Sequence, residues 1–383
     1  MASALPAPER PAAVVPFLDL APLHAPLRAE LLAAFGDLID ASAFVNGPAV
    51  SAFEAAFAGY CGSRRSVGVA SGLDALRLGL IACGVEPGDE VIVPANTFVA
   101  TLEAVSQAGA TPVPADVTET DYNLDVDAVR AAVSERTRYL MPVHLYGQMA
   151  DMHALLQLAE ERGLRVIEDA CQAHGAERDG LRAGATGAAA AGFSFYPGKN
   201  LGAMGDAGAL TTEDEAIADR VLALREHGQT RKYEHDVEGW TARLDAIQAV
   251  VLTRKLERLD AWNDLRRHAA AWYDEELNGV GDLRLPQTVE GSTHVWHLYV
   301  VRTADPVGFA AHLAARGIST GRHYPEPPHL SRAYAHLGYP KGSFPAAERH
   351  ASEVVSLPIF PGIAEEQLAA VAHAIADYFR RAA

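Results

Sequence analysis

Apolar residues fall into two alternating patterns between about residues 30 and 215. Short runs rich in β-branched and small apolar residues occupy Ser66–Ala70, Glu90–Pro94, Thr111–Ala115, Arg138–His144, Arg165–Asp169 and Ala191–Phe195. Between several of them lie stretches with helical spacing, such as Leu73–Ile81 and Leu124–Val133. Runs that do not alternate with polar residues suit strands buried on both faces. Strands of that kind, separated by helices, predict a mainly parallel sheet covered on both sides. Ligands of such sheets bind outside the carboxyl ends of the strands.

The second half of the chain changes pattern. Leu244, Ile247, Val251, Leu256, Leu259, Trp262 and Trp272 recur near a helical period, which predicts one long helix over Leu244–Leu277, bent near Asp260. Strand candidates follow at His294–Val301 and Ile318–His323. A last helix is expected over about Glu365–Arg381, with Leu368, Val371, Ile375 and Phe379 on one face. The expected fold class is therefore α/β, with a large domain over residues 16–255 and a smaller α/β domain over residues 256–383. No repeat or low-complexity linker separates them, so the two should pack together. Residues 1–15 read as an exposed leader, because Pro6, Pro8, Glu9, Arg10 and Pro11 interrupt any apolar signal core.

Composition narrows the function classes. With 383 residues, 49% hydrophobic and 21% charged, the chain is an ordinary globular protein long enough for two domains. Lys+Arg number 32 against 49 Asp+Glu, giving a formal net charge of −17. Such a surface repels phosphate backbones, which argues against nucleic-acid binding but leaves room for a small anion in a locally positive pocket. Cys61, Cys83 and Cys171 give no disulfide framework and fit a reduced, cytoplasmic compartment. No apolar run reaches the ~18 residues of a transmembrane helix, so no membrane partner is expected.

No G-x-G-x-x-G follows a strand, which disfavours a Rossmann dinucleotide site. Pro197-Gly198-Lys199-Asn200 lacks the spacing and the Ser/Thr of a P-loop. The histidines show no metal-ligand spacing, and no metal is expected. Three segments carry positive signals. Ser71-Gly72-Leu73-Asp74 follows a strand and opens a helix, where free backbone N–H groups favour a phosphate; an ordinary capped turn would look the same. Asp169 ends an apolar strand, where a carboxylate needs a cation or donors; otherwise it caps the next helix. Lys199 lies in the glycine-rich loop Tyr196–Gly202 after a strand bearing Ser194. A lysine in a dry pocket loses its proton and becomes a nucleophile for imine formation, whereas most loop lysines are simply solvated. A phosphate cradle, a strand-end acid and a lysine thirty residues later are the parts a pyridoxal phosphate enzyme needs.

Here the chain resembles a known family. Phe17-Leu18-Asp19-Leu20, Phe44-Val45-Asn46-Gly47, Pro94 to Thr101, Val143 to Gln148, Arg243 to Gln248 and Leu357-Pro358 occur in the order found in the DegT/DnrJ/EryC1/StrS sugar aminotransferases. These have the aspartate-aminotransferase (type I) pyridoxal phosphate fold. The resemblance implies that Lys199 carries the cofactor as a Schiff base, and Asp169 pairs with its pyridine nitrogen. Gln172 is implied beside its phenolic oxygen, Phe98 stacked on its ring, and Gly72, Leu73 and Ser194 around its phosphate. Leu73 departs from the family's usual Thr, and Thr241 stands where the family commonly has an Asn that reaches the neighbouring subunit's phosphate. A homodimer with composite sites is implied.

The forms of these motifs, with Gly205-Asp206-Ala207-Gly208-Ala209 and His323-Tyr324-Pro325, resemble the members that act on nucleotide-linked 3-keto sugars. The expected reaction moves an amine from L-glutamate to a nucleotide-diphospho 3-keto-6-deoxyhexose, with thymidine diphosphate favoured over uridine diphosphate. Tyr196, Arg231, His323, Tyr324 and His329 are the expected substrate residues, with Lys232 and Arg322 as further cations for the diphosphate. The alternatives are a 4-keto nucleotide sugar, a UDP-linked 3-keto sugar, a keto-cyclitol, or a regulator without turnover. Related dehydratases have histidine at the lysine position, so Lys199 argues against deoxygenation.

Overall fold

The computed structural model describes residues 14–382. Most of the expected leader, residues 1–13, lies outside the described residues. Its end differs from the expectation: Val15 is fully buried and bridges Ile318, because this apolar side chain completes the core of the second half.

A seven-stranded sheet organises the first two-thirds of the chain. Its strands are β1 (Arg65–Val69), β2 (Glu90–Pro94), β3 (Thr111–Ala115), β4 (Thr137–Leu140), β5 (Arg165–Asp169), β6 (Ala190–Ser194) and β7 (Gly208–Thr212). They lie in the order β1-β7-β6-β5-β4-β2-β3. Strands β3, β2, β4, β5 and β6 pair in parallel, and β7 runs antiparallel between β6 and β1. Alternate residues face opposite cores: Ile92, Val166 and Phe193 pack on one side, Val91, Val93, Ile167 and Leu210 on the other. Burial of both faces explains the continuous apolar runs. Strand β4 is shorter than the expected 138–144, because its ladder gives way to an isolated bridge between Val143 and Asp169.

The expected long helix is two helices, Ala246–Leu256 and Leu259–Leu277, broken at Glu257–Arg258. The second starts with Leu259 in the large core and ends with Ala269, Tyr273 and Leu277 in a separate core. That second core also takes Val15, Trp296, Tyr299 and, from the final helix Glu365–Ala382, Leu368, Val371 and Ile375. Its two-stranded sheet pairs Tyr299–Arg302 with Val354–Leu357, so the expected strand 294–301 begins later, and residues 318–323 contribute only single bridges.

Several histidines are buried without charge. Burial holds His174 and His294 down at about 3 and His350 at about 4, against an ordinary 6.5. The unfolded chain therefore takes up these protons first, and stability falls as pH drops from about 6.5 toward 4. The slope is up to about 1.4 kcal/mol per pH unit for each histidine. A melting temperature that declines steadily from pH 6.5 to 5 is expected; a flat profile would show that these rings are protonated in the folded protein.

Candidate active site

The carboxyl ends of β1, β5 and β6 converge on one cavity of about 610 Å³. Behind β1, Ser71 caps the helix Gly72–Ala82 by accepting from the Asp74 amide at 3.1 Å. The amides of Gly72 and Leu73 stand in the first turn, where no intrahelical acceptor exists. Gly72 is tight for a second reason. A Cβ there would lie 2.5 Å from Ser194 Cβ and 2.8 Å from Cys171 Sγ, so the helix start, the turn after β5 and the end of β6 meet at this point. Gly72→Ala is expected to cost about 1–3 kcal/mol of stability by overpacking. It should also raise the apparent Kd for pyridoxal phosphate at least ~10-fold, since the cradle must widen. Thermal melts and cofactor absorbance titration check both effects.

Asp169 ends β5 and is 5% exposed. Its Oδ2 accepts from Thr101 Oγ1 at 2.8 Å and its Oδ1 from the Cys171 amide at 3.2 Å, and Thr101 is bonded in turn to Thr97 at 2.8 Å. No lysine or arginine among the described residues forms an ion pair with it, and it lines the cavity. Lys199 lines the same cavity from the turn after β6, its amide donating to the Tyr196 carbonyl at 2.8 Å. Burial lowers the Lys199 ammonium below its ordinary range, against the opposing pull of Cys171 and Asp169. Gln172 is fixed at both ends: its Oε1 accepts from the Tyr146 amide at 2.8 Å and its Nε2 donates to Tyr324 Oη at 3.1 Å. Phe98 is half exposed at the mouth, its ring tilted against Tyr324 at 5.5 Å.

The expected residues Gly72, Leu73, Phe98, Asp169, Gln172, Ser194, Tyr196, Lys199, His323 and Tyr324 all line this cavity. His323 is anchored by Ser356 Oγ at 2.8 Å and stacks on Phe17. Burial first, and the charge of Lys199 second, push its ring down to about 4.

Other expected residues are not brought there. His329 is buried against Phe344 and bonded to Glu348 at 3.3 Å, which makes it a packing residue in the second half of the chain. Arg322 spends its guanidinium on the carbonyls of Ala351, Ser352 and Val354. Arg231 sits 81% exposed on a hairpin, beside Lys232 stacked over Tyr233. Thr241 is exposed and bonded to His227 Nε2 at 3.1 Å, and Arg243 pairs with Glu226 at 2.6 Å.

His297 and Arg266 shape the site although no motif singled them out, and Thr101, which closes the Pro94 to Thr101 motif, was given no role there. Thr97 and Thr101 are four apart at a helix start, which could have flagged a shared face. Nothing local marks His297 or Arg266.

Known proteins resemble this chain over nearly its whole length. A protein described as dTDP-3-amino-3,4,6-trideoxy-alpha-D-glucose transaminase from Streptomyces venezuelae is 48% identical over 367 residues, 96% of this chain and 97% of its own. The erythromycin biosynthesis sensory transduction protein EryC1 of Saccharopolyspora erythraea is 48% identical over 92% of this chain and 96% of its own. The crystal structure of S. venezuelae DesV in complex with a ketimine intermediate superposes with a TM-score of 0.94, at 48% identity, over 97% of this chain and all of that one. The model of the DegT/DnrJ/EryC1/StrS aminotransferase family matches residues 26–376. With Lys199, Asp169, Gly72 and Ser194 gathered in one cavity, and nearly the whole chain matched, the protein belongs to the DegT/DnrJ/EryC1/StrS aminotransferase family.

Proposed function

We propose that this protein transfers the amino group of L-glutamate to the keto carbon of a dTDP-linked 3-keto-6-deoxyhexose, using pyridoxal phosphate. The observation that carries the reading is the placement of Lys199 and Asp169 in one cavity with the Gly72–Ser194 cradle. These residues fit the cofactor: the cradle has room only without a Cβ at Gly72, Asp169 forms no ion pair with a lysine or arginine among the described residues, and burial lowers the Lys199 ammonium. Bound there, pyridoxal phosphate supplies an electrophilic carbonyl and a protonated pyridine ring that withdraws electrons from the amine-bearing carbon.

The chain's own groups do the rest. Asp169, held by Thr101, would keep the pyridine nitrogen protonated. Gly72, Leu73 and Ser194 would hold the phosphate, Phe98 the ring and Gln172 the phenolic oxygen. Lys199 Nζ would hold the cofactor covalently and serve as the base that takes and returns the proton at the substrate carbon. Tyr196, His323 and Tyr324 face the sugar. Arg231, Lys232 and Thr241 lie outside the cavity on exposed surface. That position suits a homodimer in which one subunit's hairpin reaches the diphosphate and phosphate groups in its partner's site. No helix among the described residues is long and apolar enough to cross a membrane, and the three cysteines are free, which supports a cytoplasmic enzyme.

The test offers the dTDP-linked 3-keto and 4-keto isomers at equal concentration with excess glutamate and identifies products by mass spectrometry. Predominant 3-amination is expected. Predominant 4-amination, or amination of a free keto-cyclitol, overturns the substrate assignment. Failure of glutamate to bleach the yellow cofactor band overturns the transaminase reading itself.

A further inference from the structure

Asn200 follows Lys199 in the chain, is 5% exposed, and belongs to a series of amides whose orientations are all fixed. Asn263 Nδ2 donates to the carbonyl of His174 at 2.9 Å, a partner that can only accept. Asn263 Oδ1 must therefore be the acceptor for Asn200 Nδ2 at 2.8 Å, and the same nitrogen also donates to the Val295 carbonyl at 2.8 Å. That leaves Asn200 Oδ1 as an acceptor facing His297 Nδ1 at 3.2 Å. The His297 proton sits on Nδ1, and Nε2 carries a lone pair.

The ring is held in place and kept neutral. Arg266 Nη1 donates to the carbonyls of Trp296 at 3.2 Å, His297 at 3.4 Å and Ile359 at 2.9 Å, which fixes the backbone on both sides of the ring. Burial, with the charges of Lys199 and Arg266 nearby, holds His297 well below its ordinary range. His297 lines the Lys199 cavity, and its Nε2 has no partner among the described residues and is not sealed off. Phe17, Leu18, Leu298 and Ile359 line the same cavity, together with the polar Lys199, Arg266, His323 and Tyr324. His323 Nδ1 is already engaged with Ser356.

We propose that His297 Nε2 accepts a hydrogen bond from a hydroxyl on a carbon flanking the keto carbon of the sugar, and so determines which deoxy sugars are accepted. This rests on the nucleotide-sugar reading above. An acceptor whose tautomer is locked loses this partner when an analogue lacks that hydroxyl, and sites that hydrogen-bond a hydroxyl discriminate strongly.

The experiment compares kcat/KM of the holoenzyme, in the reverse direction, for a dTDP-linked 3-amino-6-deoxyhexose and its 2-deoxy and 4-deoxy analogues. Wild type should prefer the hydroxylated sugar over one analogue on the order of 10- to 100-fold. His297→Phe should reduce that ratio to within about threefold, and His297→Gln, which keeps an accepting carbonyl, should retain part of it. An active His297→Phe enzyme with the wild-type ratio overturns the inference alone. A wild type that turns over no nucleotide sugar overturns the functional reading and the inference together. NMR of ¹⁵N-histidine-labelled holoenzyme gives a readout that does not depend on the variants' folding. His297 should show the Nδ1–H tautomer, with Nε2 shifting on addition of the hydroxylated amino sugar and not of the discriminated analogue. An Nε2–H tautomer, or no shift, overturns the inference.

Discussion

Lys199→Ala is expected to lower transamination by ~10⁴-fold or more, because the proposed mechanism asks one side chain to supply both the covalent anchor and the proton carrier. No other lysine is among the residues lining the cavity, so no neighbour can take its place. Burial lowers its ammonium, which favours the neutral, nucleophilic form. Lys199→Arg keeps a cation in the same loop but removes the nucleophile, and should be as inactive as Lys199→Ala. Borohydride reduction of the wild-type holoenzyme followed by peptide mapping should place the pyridoxyl group on Lys199. A label on any other lysine ends the assignment.

Asp169→Asn should slow the half-reaction with glutamate about 10²- to 10⁴-fold. The shape is conserved, and the amide oxygen can still accept from Thr101, now 2.8 Å from Oδ2. What is lost is the charge proposed to stabilise the pyridinium. Removing one partner of a buried pair costs about 3–5 kcal/mol, and each 1.36 kcal/mol is tenfold. Stopped-flow absorbance of the glutamate half-reaction measures the effect. Near-normal turnover in Asp169→Asn would show that the acid serves only to cap the turn at Cys171.

The large sheet was legible in the sequence. Glu90–Pro94, Thr111–Ala115 and Arg165–Asp169 are strands with the bounds their apolar runs predict, because burial on both faces leaves an unbroken local signal. The antiparallel β7 was not, since Gly208–Thr212 is a short run following a glycine-rich loop that gains its place by pairing with both β1 and β6. The second half was less legible for the same reason. Residues 318–323 look like a strand yet make single bridges, and the true strands, 299–302 and 354–357, are defined by each other.

Among site residues, Lys199, Asp169, Gly72 and Ser194 stand in motifs whose spacing is local to one strand and the turn after it, so their meeting in one cavity, and the family resemblance, were legible in the sequence. Residues that act across the fold could not be read that way. His329 and Arg322 carry the right chemistry for a substrate, but packing against Phe344 and three backbone carbonyls uses them elsewhere. His297 carries no motif at all. Its tautomer depends on Asn200, Asn263 and the His174 carbonyl, drawn from separate segments of the chain. Local periodicity reports which residues are buried in an element. Only tertiary packing decides which donors and acceptors meet, because a hydrogen bond is fixed by its partner's position and not by its own neighbours in sequence.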